Sequence, residues 1–119
     1  MIDTRMGEVE SRFADMIWQN APVSSGTLAQ IALQELGWKK STTYTVLKRL
    51  CDRGIFSNEG GTVIALVTKE EFQALQSEKF VRDTFHGSLP AFLAAFGSRN
   101  KLTDEEVTQL QKLIDSMRG

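Results

Sequence analysis

A single cysteine in 119 residues excludes an intramolecular disulfide and any cysteine-cluster metal site. Cys51 lies beside an apolar stripe, which suits a buried structural thiol and a reducing, cytoplasmic setting. The one histidine, His86, offers neither a metal-ligand set nor a catalytic triad and reads as a structural or loop residue. No apolar run approaches the ~20 residues that cross a bilayer. The opening stretch MIDTRMGEVE carries acidic residues and no apolar signal core, so neither export nor a membrane span is expected. Paired carboxylates in a credible pocket, a nucleophile–histidine set, a phosphate-cradling glycine loop and metal-ligand spacing are all missing. An enzyme is therefore not expected, nor is a metal or cofactor. Charge of one sign is also lacking, the formal net charge being -1. That total looks wrong for a nucleic-acid binder, but the distribution matters more. Lys39, Lys40, Lys48, Arg49 and Arg53 face only Asp52 in their segment, whereas Glu70 to Met117 leans acidic.

What is present is organised around Trp38–Gly54, WKKSTTYTVLKRLCDRG. The spacing predicts one amphipathic helix. Ser41 suits the N-cap, because its hydroxyl can accept from a free first-turn amide. Gly54 suits the position just past the helix, where the left-handed conformation is needed. Val46, Leu47 and Leu50 form the inward stripe and leave Thr42, Tyr44, Thr45, Lys48, Arg49 and Asp52 for the other faces. Hydroxyls and tyrosine can bond phosphates or base edges, and lysine and arginine neutralise phosphates. Taken alone, the segment reads equally well as a surface helix with a solvated polar face.

Its surroundings decide between the two. Glu8 to Gln19 places Val9, Phe13, Met16 and Ile17 at helical offsets, and Asn20-Ala21-Pro22 stops that helix. Pro22-Val23-Ser24 is a short extended piece, and Ser24 caps a second helix to about Leu36, ended by Gly37. Two helices joined this tightly have the order of a helix-turn-helix with the second as reader. Residues 55–59 and 62–67 are strand-like around Gly60-Gly61, which suits a tight primed hairpin. A helix-turn-helix followed at once by a hairpin is a winged helix. The wing tip, Asn58 to Thr62, contains Glu59 and no Lys or Arg, so a weak wing contribution is expected.

Three more helices are predicted downstream. Thr68 and Glu71 form a capping box that opens a helix to about Thr84, with Phe72, Leu75, Phe80 and Val81 apolar. Ser88 to Phe96 repeats Leu89, Phe92, Leu93 and Phe96 at helical spacing, with Pro90 tolerated in the first turn. Thr103 and Glu106 form a second capping box. Val107, Leu110, Ile114 and Met117 then alternate by threes and fours, with Leu113 beside them, as in a coiled-coil seam. These helices are too small for a core of their own, and interlocking with a second copy is the natural solution. The expected architecture is mainly α with a small β-hairpin: a winged helix-turn-helix at 1–68 and a helical dimerisation region at 69–119. Phe72, Leu75, Phe80, Phe92, Phe96, Val107, Leu110, Leu113, Ile114 and Met117 are its candidate dimer contacts.

The chain resembles the penicillinase-repressor (BlaI/MecI/CopY) family of bacterial winged-helix regulators over nearly its whole length. The carriers are Glu8-Val9-Glu10 through Met16-Ile17-Trp18, Pro22-Val23-Ser24, Ser41 through Leu50, Arg53-Gly54-Ile55, and the tail from Leu102 to Met117. The resemblance implies a homodimeric repressor on a palindromic double-stranded operator, dimerised through its C-terminal helices. Carried over, the DNA contacts are Ser41, Thr42, Tyr44, Thr45 and Lys48, with Arg49 as a phosphate or structural candidate; Lys39 and Lys40 flank them. Relatives with resistance operators commonly have Lys and Arg at the positions of Ser41 and Tyr44, which implies a different operator here. Penicillinase and methicillin repressors are induced by cleavage at an Asn-Phe bond. The matching bond is Ala95–Phe96, which keeps the phenylalanine but not the asparagine, and a sensor-linked protease would be the corresponding partner. Copper-responsive members carry C-terminal cysteines that this chain does not have.

The expected function is thus sequence-specific DNA-binding repression, with base readout by hydroxyls and salt-dependent affinity from lysines. The alternative is a winged helix used as a protein-interaction module, which the near-neutral charge and the acidic wing tip favour. An effector pocket lined by Phe80, Phe85, Phe92 and Phe96 is a further alternative to their use as dimer core.

Overall fold

A computed structural model describes residues 2–119 and resolves them into two compact units that divide between Ser77 and Glu78. The first unit holds α1 (Glu8–Asn20), β1 (Val23–Ser24), α2 (Ser25–Leu36), α3 (Lys40–Asp52), β2 (Phe56–Glu59) and β3 (Thr62–Ala65). α4 (Lys69–Phe85) runs across the division, and α5 (Leu89–Gly97) and α6 (Asp104–Met117) belong to the second unit. This is a winged helix-turn-helix followed by helices.

The core of the first unit follows from the apolar spacing. α1 buries Phe13, Ala14, Met16 and Ile17, α2 buries Leu28, Ala29 and Ala32, and α3 buries Val46, Leu47 and Leu50. Ile55, Phe56 and Val63 close the cluster from the strands. Each large side chain fully buried here contributes about 1.5–3 kcal/mol of transfer free energy. Trp18 ties the strands to the start of α4 within this unit: its ring packs 5.1 Å from Phe56 and 5.6 Å from Phe72, and its indole N–H donates to the Val67 carbonyl at 3.0 Å.

The sheet is larger than a hairpin. β2 and β3 pair antiparallel, with Glu59 opposite Thr62, so Gly60 and Gly61 form the two-residue link. Both have positive φ (60° and 91°), the requirement of a primed turn that glycine meets without strain. The extended piece after Pro22 also joins, as β1, pairing Val23 with Val63 and Ser24 with Thr62. The strand order is β1-β3-β2, so the wing is anchored to the α1–α2 connection and β3 is central.

Phe72 corrects one expectation. It is 2% exposed and packs against Trp18 within its own protomer's core, so it is not free for a dimer contact. The same packing draws the first turns of α4 into the winged unit, which runs to Ser77, past the boundary expected after residue 68.

The second unit is built differently. Phe85 and Phe92 meet edge to face at 5.6 Å, Phe80 and Phe92 at 6.1 Å, and Phe92 lies 6.5 Å from Phe96. Yet α5 and α6 contain no buried residue. Both expected capping boxes are formed: Glu71 N–H donates to Thr68 Oγ1 and Thr68 N–H to Glu71 Oε1, and Thr103 and Glu106 repeat the exchange.

Candidate nucleic-acid interface

α3 begins one residue before the expected cap. Lys39 is extended (φ -64°, ψ 154°) and takes the N-cap position, and Ser41 lies inside the first turn. The cause is tertiary. Gly37 ends α2 in the left-handed region at φ 68°, and Trp38 then packs 5.0 Å from Phe13, which fixes where the chain turns. No side chain caps the helix, so the first-turn amides at Lys40, Ser41 and Thr42 have no acceptor from Lys39. A helix start of this kind carries partial positive charge and free donors, which suits an anion.

The outward face is continuous. Ser41, Thr42, Thr45, Lys48 and Arg49 are exposed, and Ser41, Thr42, Thr45, Val46 and Arg49 line a shallow depression of about 220 Å³. Thr45 donates its hydroxyl back to the Ser41 carbonyl at 2.9 Å, leaving the oxygen lone pairs to accept from a base or amide. Thr43 is fully buried among the apolar residues, with its hydroxyl 3.4 Å from the Lys39 carbonyl. It belongs to the inward stripe together with Val46, Leu47 and Leu50, a spacing the sequence displays but the hydroxyl disguises.

Tyr44 stands apart from the exposed set. It is half-buried against the core, and the Lys40 ammonium lies 5.7 Å from its ring centre. With Leu47, Lys48, Cys51, Phe56, Ser57, Asn58 and Leu66 it lines a hollow of about 530 Å³ between α3 and β2. Asn58 accepts from the Gly61 N–H through Oδ1, which fixes the wing turn. Burial first, and then the neighbouring Asp52, push the Cys51 thiol above its ordinary pKa.

The cations of α3 divide into two sets. Arg49 Nη1 lies 3.0 Å from Glu10 Oε2 and Arg53 Nη1 lies 3.1 Å from Glu10 Oε1. Glu10 also accepts from the Gly7 N–H at 3.0 Å. The Gly7 amide first, then the two guanidiniums, outweigh desolvation and hold the Glu10 pKa down at about 2. Arg53 further donates to the Arg5 carbonyl at 2.7 Å, Asp3 N–H donates to the Arg53 carbonyl, and Ile2 packs against Gly54. Arg49 is therefore paired with Glu10 while its side chain stays about half exposed. This network was not visible in the sequence, where Glu10 lies far from both arginines. Lys48 pairs with Asp52 at 3.4 Å. Among the described residues, Lys39 and Lys40 have no carboxylate within salt-bridge distance.

The candidate dimer residues other than Phe72 are exposed or half-buried. Leu75 is exposed in the winged unit. In the second unit Phe80, Phe96, Val107, Leu113, Ile114 and Met117 are exposed, Met117 at 66%, while Phe92 and Leu110 are half-buried. Phe92, Leu93, Phe96, Leu102, Leu110 and Leu113 line an apolar hollow of about 380 Å³. Ala95 and Phe96 fall in the last turn of α5, where the Phe96 carbonyl accepts from the Arg99 and Asn100 amides and from the Asn100 side chain. No helix among the described residues is long and apolar enough to cross a membrane.

Comparison with known proteins gives two findings. A model of the penicillinase repressor family matches residues 6–116. A penicillinase repressor of Bacillus licheniformis is 18% identical over 115 residues, which cover 93% of this chain and 90% of the relative.

Proposed function

The chain belongs to the penicillinase repressor family, and from that premise we propose that it is a homodimeric repressor that reads a palindromic operator with α3. The observation that carries this reading is the unobstructed face of α3, where Ser41, Thr42, Thr45 and Lys48 stand exposed beside an uncapped helix start flanked by Lys39 and Lys40. The helix start and the two lysines take phosphates and set register and salt-dependent affinity; the hydroxyls reach base edges and supply sequence preference. Tyr44 acts at the border of this face, with its ring packed and its hydroxyl available. Repression follows by steric exclusion of polymerase from the occupied site.

Dimerisation is supported by the second unit, whose α5 and α6 contain no fully buried residue while presenting Phe96, Val107, Leu113, Ile114 and Met117. A second copy would cover these groups and give the assembly the two-fold symmetry of a palindrome. A protease cutting Ala95–Phe96 would detach α6 and its seam, and so release the operator by lowering the dimer fraction. The bond lies in a helical turn, so that route requires the turn to unwind first.

The test is retention of sheared genomic DNA by the full chain at low salt, with recovered fragments sequenced and sedimentation run in parallel. A recurrent inverted repeat bound by a two-protomer species is expected. Retention of no fragment would instead assign the winged helix to a protein partner.

A further inference from the structure

Three cations in the second half of α3 and just beyond it each rest on a carboxylate of the same chain. Arg49 and Arg53 share Glu10, and Lys48 pairs with Asp52. The two lysines at the start of α3 have no such partner among the described residues. The asymmetry is not what helix stability asks for. An acidic residue in the last turn opposes the helix dipole. An exposed lysine–aspartate pair four apart returns little, and here the two side chains are 78% and 66% exposed. Asp52 therefore contributes almost nothing to the fold in that position, and its effect falls on the reading face. Ser41, Thr45, Lys48 and Asp52 follow one another at offsets of four, seven and eleven, so the carboxylate continues the same exposed stripe, about 10 Å along the helix from Thr45.

We infer that Asp52 is an affinity-setting counter-charge: it holds Lys48 away from phosphate and confines strong backbone contact to the Lys39–Lys40 end of α3. Lys48 can move from Asp52 to a phosphate only by leaving an unpaired carboxylate beside a polyanion. The gain from that phosphate contact is largely cancelled, and it is cancelled on every sequence alike, since phosphates carry no sequence information. The protein thus keeps its total affinity low while its preference rests on the hydroxyls of Ser41, Thr42 and Thr45. Glu10 does the same for Arg49, but it also fixes α1 to α3, so Asp52 is the residue at which the effect separates from folding.

The inference rests on the proposed DNA-binding reading, and the experiment distinguishes the two. Full-length protein and D52N are titrated on a duplex recovered from the retained genomic fragments and on a scrambled duplex of equal length, across a salt series. D52N should bind both about three- to ten-fold more tightly near 0.1 M salt. The slope of log K against log salt should steepen by about 0.9 per protomer, one added phosphate contact each. The melting temperature should not fall, whereas a merely structural Asp52 would move it and leave the slope alone. In a K48A background the added slope should vanish. An unchanged slope in D52N, or an equal steepening with Lys48 removed, overturns the inference while DNA binding stands. Failure of the unsubstituted protein to hold either duplex at low salt overturns both.

Discussion

Glu10 joins α1 and the N-terminal stretch to α3, and its replacement by glutamine should weaken that junction. The carboxylate accepts from Gly7 at 3.0 Å, Arg49 at 3.0 Å and Arg53 at 3.1 Å, and is 17% exposed. Its pKa falls from an ordinary 4.5 to about 2. At about 1.4 kcal/mol per unit that is roughly 3 kcal/mol, which solvent screening at the domain surface reduces to about 1–2 kcal/mol. Glu10→Gln keeps an acceptor for Gly7 but leaves the largely enclosed Arg53 guanidinium without its charge partner. The variant should therefore unfold about 1–2 kcal/mol more easily at pH 7. Because the folded pKa lies below the unfolded one, the stabilisation is complete above about pH 4.5 and is lost as pH falls towards 2. The gap between wild type and variant should shrink to under half by pH 3. Urea titration followed by tryptophan fluorescence reads this, since Trp18 and Trp38 both lie in the winged unit. A gap below about 0.5 kcal/mol at pH 7, or the same gap at pH 3, would show that the Glu10 charge does not hold these elements together.

Other substitutions separate the roles assigned above. Thr45→Ala should lose preference for the recovered duplex over a scrambled one by about 1–3 kcal/mol in competition binding, with the melting temperature held. Lys40→Ala should weaken both duplexes equally and flatten the salt dependence by about 0.9 per protomer. Tyr44→Phe should leave the fold intact, since the ring packs and only the hydroxyl is removed; an unchanged affinity for the recovered duplex would take Tyr44 out of the contact set. Phe72→Ala should destabilise the winged unit by about 3–5 kcal/mol in urea titration, as a fully packed ring does. Leu113→Lys should instead shift sedimentation from dimer to monomer and leave the tryptophan-reported transition near its original midpoint.

The parts of the fold carried by local chemistry could be read directly. Thr68–Glu71 and Thr103–Glu106 marked two helix starts, and Gly60-Gly61 marked a turn needing two positive φ values. What depended on distant partners could not. The start of α3 was set by Trp38 against Phe13, which outweighed the better capping chemistry of Ser41. β1 is two residues long, too short for alternation to register, and exists only because β3 pairs with it. Periodicity in α4 placed Phe72 in its apolar set and suggested a dimer contact, but not which core it joins; Trp18 decides that. The α3 face was legible because exposed hydroxyls and lysines recur at helical spacing. The Glu10 network was not, because ion pairs between separate helices leave no local trace.

If two α3 faces of one dimer read one face of a duplex, hydroxyl-radical footprinting of a recovered fragment shows it directly. Two protected patches related by a dyad, with centres about 10–10.5 base pairs or a multiple apart, are expected, and both should vanish together with Leu113→Lys at limiting concentration. A single patch, or two patches that persist in a monomeric variant, would contradict it.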